Sequence, residues 1–202
     1  MAIINEVQLT RIARRRGVVY RAIPDSDPKM VRTFMSRKFP IPQVTMFQAF
    51  SDPVAHVRLF SIIKSSTPPI RYGIEQILAK NQFLAFEHVQ ESNLPARLML
   101  VKYTLYPPRK ILKEAVTDPF MEGRKGGRMT KEDLTIMDKK AAKVVIKFEK
   151  ISKAETRIVT ESSFRVETGA VFTRKFIDHV WLNFYERMLV ANGQISESEM
   201  LT

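Results

Sequence analysis

Two glutamates, Glu87 and Glu114, sit inside apolar stretches that alternate with period two. A carboxylate pointing from such a strand into a cavity orients a ligand or acts as a general base. On the outer face of a sheet it pairs with neighbouring lysines instead, and that is the favoured reading for both residues. His88 adjoins Glu87 on the same strand, so the two side chains point to opposite faces and form no dyad. The other histidines, His56 and His179, fall on separate elements, and no H-x-x-x-H pair occurs. A metal site needs ligands converging at such short spacings, so none is expected. Nor is there a serine elbow or a nucleotide-binding glycine pattern. No catalytic residue and no cofactor is assigned.

Positive charge is the second chemical feature. Lysine and arginine number 33 against 21 acidic residues, a formal net charge of +12. Such a surface attracts polyanions. Two clusters stand out as anion-binding candidates. Arg14, Arg15 and Arg16 form one, in "ARRR"; Arg124, Lys125 and Arg128 form the other, in "DPFMEGRKGGRMTKEDL", which holds three of the seven glycines. Glycines let backbone amides approach an anion closely, but the P-loop spacing is absent. A solvated arm and a mobile surface loop are the plainer readings. The partners implied are nucleic acid or an anionic membrane surface.

There is no cysteine, which excludes disulfides, thiol nucleophiles and Cys-ligated metal sites. No apolar run reaches the roughly 18–20 residues of a membrane-spanning helix. At the N-terminus the positive charge follows the apolar residues, the reverse of a secretory signal. The expected location is intracellular, in the cytoplasm or an organelle matrix.

The elements that must position these residues follow from period and turn chemistry. Gly17–Ile23 reads as a strand. Asp27 as N-cap and Pro28 at the first helical position predict a helix through Lys38, with Met30, Val31, Phe34 and Met35 on one face. Ser51-Asp52-Pro53 repeats the signal, ahead of Ala55, Leu59, Ile62 and Ile63 at helical spacing. Residues 39–50 between them stay unassigned. Alternation then predicts strands over Tyr72–Ala79, Gln82–Gln90, Arg97–Leu105 and Arg109–Thr117, joined by short turns into an antiparallel meander.

After the basic insertion comes a hairpin. Val144, Ile146 and Phe148 face one way in its first strand, and Ile158, Thr160, Ser162, Phe164 and Val166 share a face in its second. Last comes a long helix within Thr168–Gly193. Phe176, Ile177, Val180, Trp181, Phe184 and Met188 span an arc of about 140°. Lys175, Asp178, His179, Asn183 and Glu186 take the other side, and Arg187 intrudes on the stripe. Gly193 is placed to cap it.

This order, and the echo in "TRIVTESSFRVETG…FIDHVWLNFYERM", resembles the START-like or SRPBCC superfamily from about Gly17 to Gly193. That superfamily includes lipid-transfer START domains, pollen-allergen-type binders and polyketide cyclases. The resemblance implies an α+β fold in which an antiparallel curved sheet wraps around a long C-terminal helix (helix-grip), with two short helices after the first strand. It divides the chain into a basic N-terminal arm (1–16), a single START-like domain (17–193) with an insertion at about 118–142, and a tail (194–202).

It also implies an apolar cavity between sheet and helix, with no catalysis. Phe176, Trp181, Phe184 and Met188 would line it from the helix, and Phe86, Tyr103 and Phe164 from the strands. The expected ligand is a lipid, isoprenoid or aromatic small molecule. Three alternatives stay open: a filled core without a cavity, a basic nucleic-acid or ribonucleoprotein binder on the same scaffold, and a cyclase- or hydrolase-type enzyme working in the cavity.

Overall fold

Links of a few residues between strands force neighbours in sequence to be neighbours in space, running antiparallel. The structure, a computed structural model, describes residues 6–27, 30–52, 70–89, 97–115, 142–165 and 174–200. In chain order these form α1 (Glu6–Arg15), β1 (Val19–Ile23), β2 (Met30–Phe39), α2 (Gln43–Ser51), β3 (Ile70–Ala79), β4 (Gln82–Val89), β5 (Arg97–Tyr106), β6 (Lys110–Ala115), β7 (Ala142–Lys150), β8 (Thr156–Arg165) and α3 (Arg174–Ala191). A short 3-10 turn, Glu197–Glu199, follows α3.

All eight strands belong to one antiparallel sheet in the order β1-β2-β8-β7-β6-β5-β4-β3. The expected meander is present from β3 to β8, and β8 then pairs with β2, closing chain-distant segments together. Register sets which side chains share the inner face. Ile111 lies opposite Ile146, Ile146 opposite Thr160, and Thr160 opposite Met35, and all four are buried. The inward residues predicted for β7 and β8 are buried wherever they are described: Val144, Ile146, Phe148, Ile158, Thr160, Ser162 and Phe164. On the outer face Lys147 meets Glu161 at 2.6 Å and Arg157 meets Glu149 at 3.4 Å.

The helix predicted from Asp27 is instead strand β2. Its ten residues pair one for one with β8, from Met30 opposite Arg165 to Phe39 opposite Thr156. Met30, Val31, Phe34 and Met35 satisfy a helical spacing. Thr33, Met35 and Phe39 satisfy an alternating one equally well, and all three are buried, with Ser36 beside them. The supposed cap is a turn: Asp25 Oδ1 accepts the Asp27 N–H at 3.0 Å, and the Asp27 carbonyl accepts the Met30 N–H at 2.9 Å. Aspartate serves a helix cap and an Asx turn through the same hydrogen bond. Pairing with a whole strand decides between them. The second predicted helix, from Pro53, lies outside the described residues, as does the insertion from 118 to 141.

The unassigned segment 39–50 supplies α2, whose Met46, Phe47 and Phe50 are buried. The N-terminal segment supplies α1, with Leu9 and Ala13, four residues apart, buried against the rest. Both long-range helix ends use glycine. Gly17 has φ +64° and donates to the Arg14 carbonyl, while Val18 donates to Ala13; Gly193, also at +64°, repeats the pattern on Val190 with Gln194 on Leu189. These are Schellman caps, which need the left-handed conformation that glycine adopts without penalty.

Helix α3 differs from the amphipathic expectation. From Trp181 to Leu189 every residue is buried, including Asn183, Glu186 and Arg187 of the supposed polar and edge positions. The α1 helix and the segment after Gly193 enclose that side, with Met200 buried there too. Glu186, fully buried, receives Arg16 Nε at 3.0 Å, and Arg187 Nε donates to Asn183 Oδ1 at 2.8 Å. Burial lowers the Arg187 guanidinium to about 10, with Glu197 opposing the shift. A buried charge persists only when paired and hydrogen-bonded, and for Glu186 the basic N-terminal segment supplies the partner, Arg16.

Tyr185 binds α3 to the sheet. Its hydroxyl donates to the Met35 carbonyl at 3.3 Å and lies 3.1 Å from Thr160 Oγ1. Burial raises its ionisation above the ordinary tyrosine range. A group whose folded-state pKa lies above its unfolded one contributes stability that is fully present below about pH 10 and lost as pH rises further. Tyr185→Phe should therefore cost about 1 kcal/mol at neutral pH. It should also flatten the loss of stability seen in urea titrations above about pH 10. An unchanged alkaline slope in the variant would assign that loss to other groups.

Candidate functional site

The inner face of β4, β5 and β6 carries the chemistry. Phe83, Tyr103 and Lys113 lie in one row across the three strands, because Phe83 pairs with Tyr103 and Tyr103 with Lys113. The Phe83 ring stacks on Tyr103 at 4.7 Å with 13° between planes. Lys113 Nζ lies over the same ring, 4.9 Å from its centre. The next row is Ala85, Val101 and Ala115. Its small side chains leave room for Tyr103 and Lys113 to lean across toward Glu87.

There the three groups converge. Lys113 Nζ donates to Glu87 Oε1 at 2.7 Å, and the Tyr103 hydroxyl donates to the same oxygen. Glu87 is only 4% exposed, and the Lys113 side chain 12%. The outer-face expectation for Glu87 is thus overturned, since the odd positions of β4, Phe83, Ala85 and Glu87, all turn inward. It holds for Glu114, which is half-exposed and faces Lys143 at 3.9 Å. The signal available in the sequence was phase: Glu87 falls in step with Phe83 and Ala85.

The predicted ligand-lining residues divide unevenly. Tyr103, Phe164, Trp181, Phe184 and Met188 are all buried in one continuous core. Phe184 packs edge-on against Phe50 at 4.9 Å and against Trp181 at 5.7 Å. Phe50 passes the contact to Phe148 at 5.2 Å, and Phe47 meets Phe148 at 5.5 Å. This end of α3 is therefore packed ring on ring against α2 and β7. Phe86 and Phe176 belong to β4 and α3, with their side chains outside the described set. Phe86 is out of register phase with Glu87, opposite Leu100 and Gly73. Phe47, Phe50 and Phe83 were missed; the first two came from the segment whose prolines obscured a helix.

Of the anion-binding candidates, Arg14 and Arg15 are exposed on α1. Arg16 turns inward to Glu186 and also reaches Glu199, at 3.6 Å and through its backbone carbonyl. Arg124, Lys125 and Arg128 lie outside the described residues. Among the described residues, no three His, Cys, Asp or Glu side chains cluster as metal ligands. No helix among them is long and apolar enough to cross a membrane.

No protein-family model and no curated protein matches the sequence. Solved structures do match. A STAR-related lipid transfer protein from Xanthomonas axonopodis superposes with a TM-score of 0.59 at 9% identity, covering 87% of this chain and 90% of that one. The fold is START-like. Human STARD10 gives a TM-score of 0.55 at 9% identity over 98% of this chain and 84% of its own. The ZhuI aromatase/cyclase from Streptomyces sp. R1128 gives 0.51 at 12% identity, over 81% and 88%. The START-like fold accounts for the curved antiparallel sheet, the helix following β2 and the long C-terminal helix. The Glu87–Tyr103–Lys113 cluster lies on the buried face of this sheet.

Proposed function

We propose that the protein binds a hydrophobic small molecule or lipid, without catalysis, between the concave sheet and α3. The observation that carries this reading is the buried Glu87–Tyr103–Lys113 cluster beside the apolar Phe83, Ala85, Val101 and Ala115 of β4–β6. Ligand sites combine apolar walls with a few convergent polar groups that fix orientation. A buried ion pair is a poor device for stability alone, because an apolar pair of similar volume serves as well or better. Its presence on this face is accounted for if it meets the polar end of a ligand whose body is held by burial. The START-like fold, shared with a STAR-related lipid transfer protein, is compatible with such a site.

The rings around Phe184 fill the space on one side of mid-α3, which supports a site beside them and not among them. Trp181 stands at the near edge of that packing, toward the N-terminal half of the helix. Titration with fatty acids, isoprenoids or quinones should change the fluorescence of this single tryptophan, so the signal has one source. Native mass spectrometry should find apolar molecules retained through purification. A fluorescence spectrum indifferent to all three ligand classes, with no retained mass, would leave a filled core and no binding function.

A further inference from the structure

A hollow of about 1020 Å³ opens at the end of the sheet, where the β5–β6 turn meets the end of β7. Its lining includes Arg109, Lys110, Lys147 and Lys150 against the single carboxylate of Glu149. Lys147 is paired with Glu161 at 2.6 Å, and Glu149 with Arg157 at 3.4 Å. No ion pair among the described residues involves Arg109, Lys110 or Lys150. Three cations are left facing one concavity.

The arrangement is built into the backbone. Lys110 and Lys147 are direct cross-strand partners, a like-charge pairing that costs stability in a sheet. Lys110 is held over the Tyr106 ring, 4.0 Å from its centre. The Arg109 N–H donates to the Tyr106 carbonyl at 2.7 Å, and the Phe148 N–H to the Arg109 carbonyl at 2.8 Å, so the turn is tied to β7. Leu105, Tyr106, Pro107 and Pro108 add an apolar side.

We infer that this hollow is a second ligand site, for a phosphate-bearing small molecule with an apolar or aromatic portion. Phosphate satisfies separated cations at once: a guanidinium fork binds two of its oxygens and ammonium groups act as point charges. The volume suits a small ligand, since such sites span about 300–1,000 Å³. A nucleic-acid strand would need a continuous basic track instead. The site is independent of the apolar one proposed above. The phosphate belongs either to a free nucleotide-like molecule or to a lipid headgroup.

The test is isothermal titration at about 50 mM salt, where phosphate contacts are strongest. The probes are ATP, inorganic triphosphate, and vesicles with and without phosphatidic acid. Saturable binding of ATP or triphosphate identifies a free ligand, and binding only to the phosphatidic acid vesicles identifies a headgroup. Arg109→Ala/Lys150→Ala should weaken either by tenfold or more, the loss of about 1.4 kcal/mol or greater. Both residues are exposed, so circular dichroism and the thermal midpoint should not change. Arg11→Ala/Lys38→Ala, also exposed and outside the hollow, should leave affinity unaltered. An equal loss in both variants would mean diffuse surface attraction and overturn the site, as would no binding of any probe up to about 1 mM.

Discussion

Truncating Phe184 to alanine is expected to lower the unfolding free energy by about 3–5 kcal/mol. The ring is 6% exposed and holds α3 through two edge-on contacts, to Phe50 and Trp181. Each such contact adds about 0.5–1.5 kcal/mol beyond the area buried. The remainder is lost transfer energy plus a cavity that the neighbours cannot close, because Phe50 is itself fixed against Phe148. Phe184→Leu keeps most of the volume and should cost less than about 1.5 kcal/mol. Urea unfolding followed by circular dichroism measures both, with the slope m unchanged if the native state keeps its compactness. A red shift of Trp181 emission should accompany the alanine variant, since the indole loses a face of its packing. A cost below about 1 kcal/mol would mean that the aromatic chain does not carry the attachment of α3 to α2.

How much of this was legible in advance depended on whether a segment's local pattern had one solution or two. In β7 and β8 it had one. Valine, isoleucine and phenylalanine alternate with lysine and glutamate, a helix of that composition would scatter them, and the inward set came out as read. Gly193 was likewise unambiguous, because a glycine after a long helical run has a single favoured use. Residues 30–39 had two solutions, and the contest was settled by β8, more than a hundred residues away. Nothing local reports a ten-residue pairing at that distance.

The same limit explains α3. The helical wheel places Glu186 and Asn183 on the solvent side and both are buried, because the wheel has no knowledge of a second layer. That layer is α1, read as a free basic arm although Leu9 and Ala13 already marked a buried stripe. Arg16, counted among the anion-binding cations, is instead the counterion of Glu186. For Glu87 the deciding signal is phase within β4, and the sequence carries it. Its charge favours the outer face, but its step with Phe83 and Ala85 places it inside.

Lys113→Met should be as costly as the loss of Phe184, for a different reason. Removing one member of a buried pair leaves the other charged and unpaired, at about 3–5 kcal/mol. Here the abandoned group is Glu87, 4% exposed, with the Tyr103 hydroxyl as its remaining donor. Glu87→Leu/Lys113→Met removes both charges and should recover most of that loss, ending near the parent or up to about 1–4 kcal/mol above it. The double variant separates the two roles the cluster could have. If it serves packing only, a protein restored in stability also binds its apolar ligand as before. If it anchors a ligand's polar end, stability returns while affinity does not, falling by about tenfold or more as a charge-assisted hydrogen bond is lost. Retained affinity in a stable double variant would refute the anchoring role and leave the concave face as an apolar wall with an ion pair embedded in it.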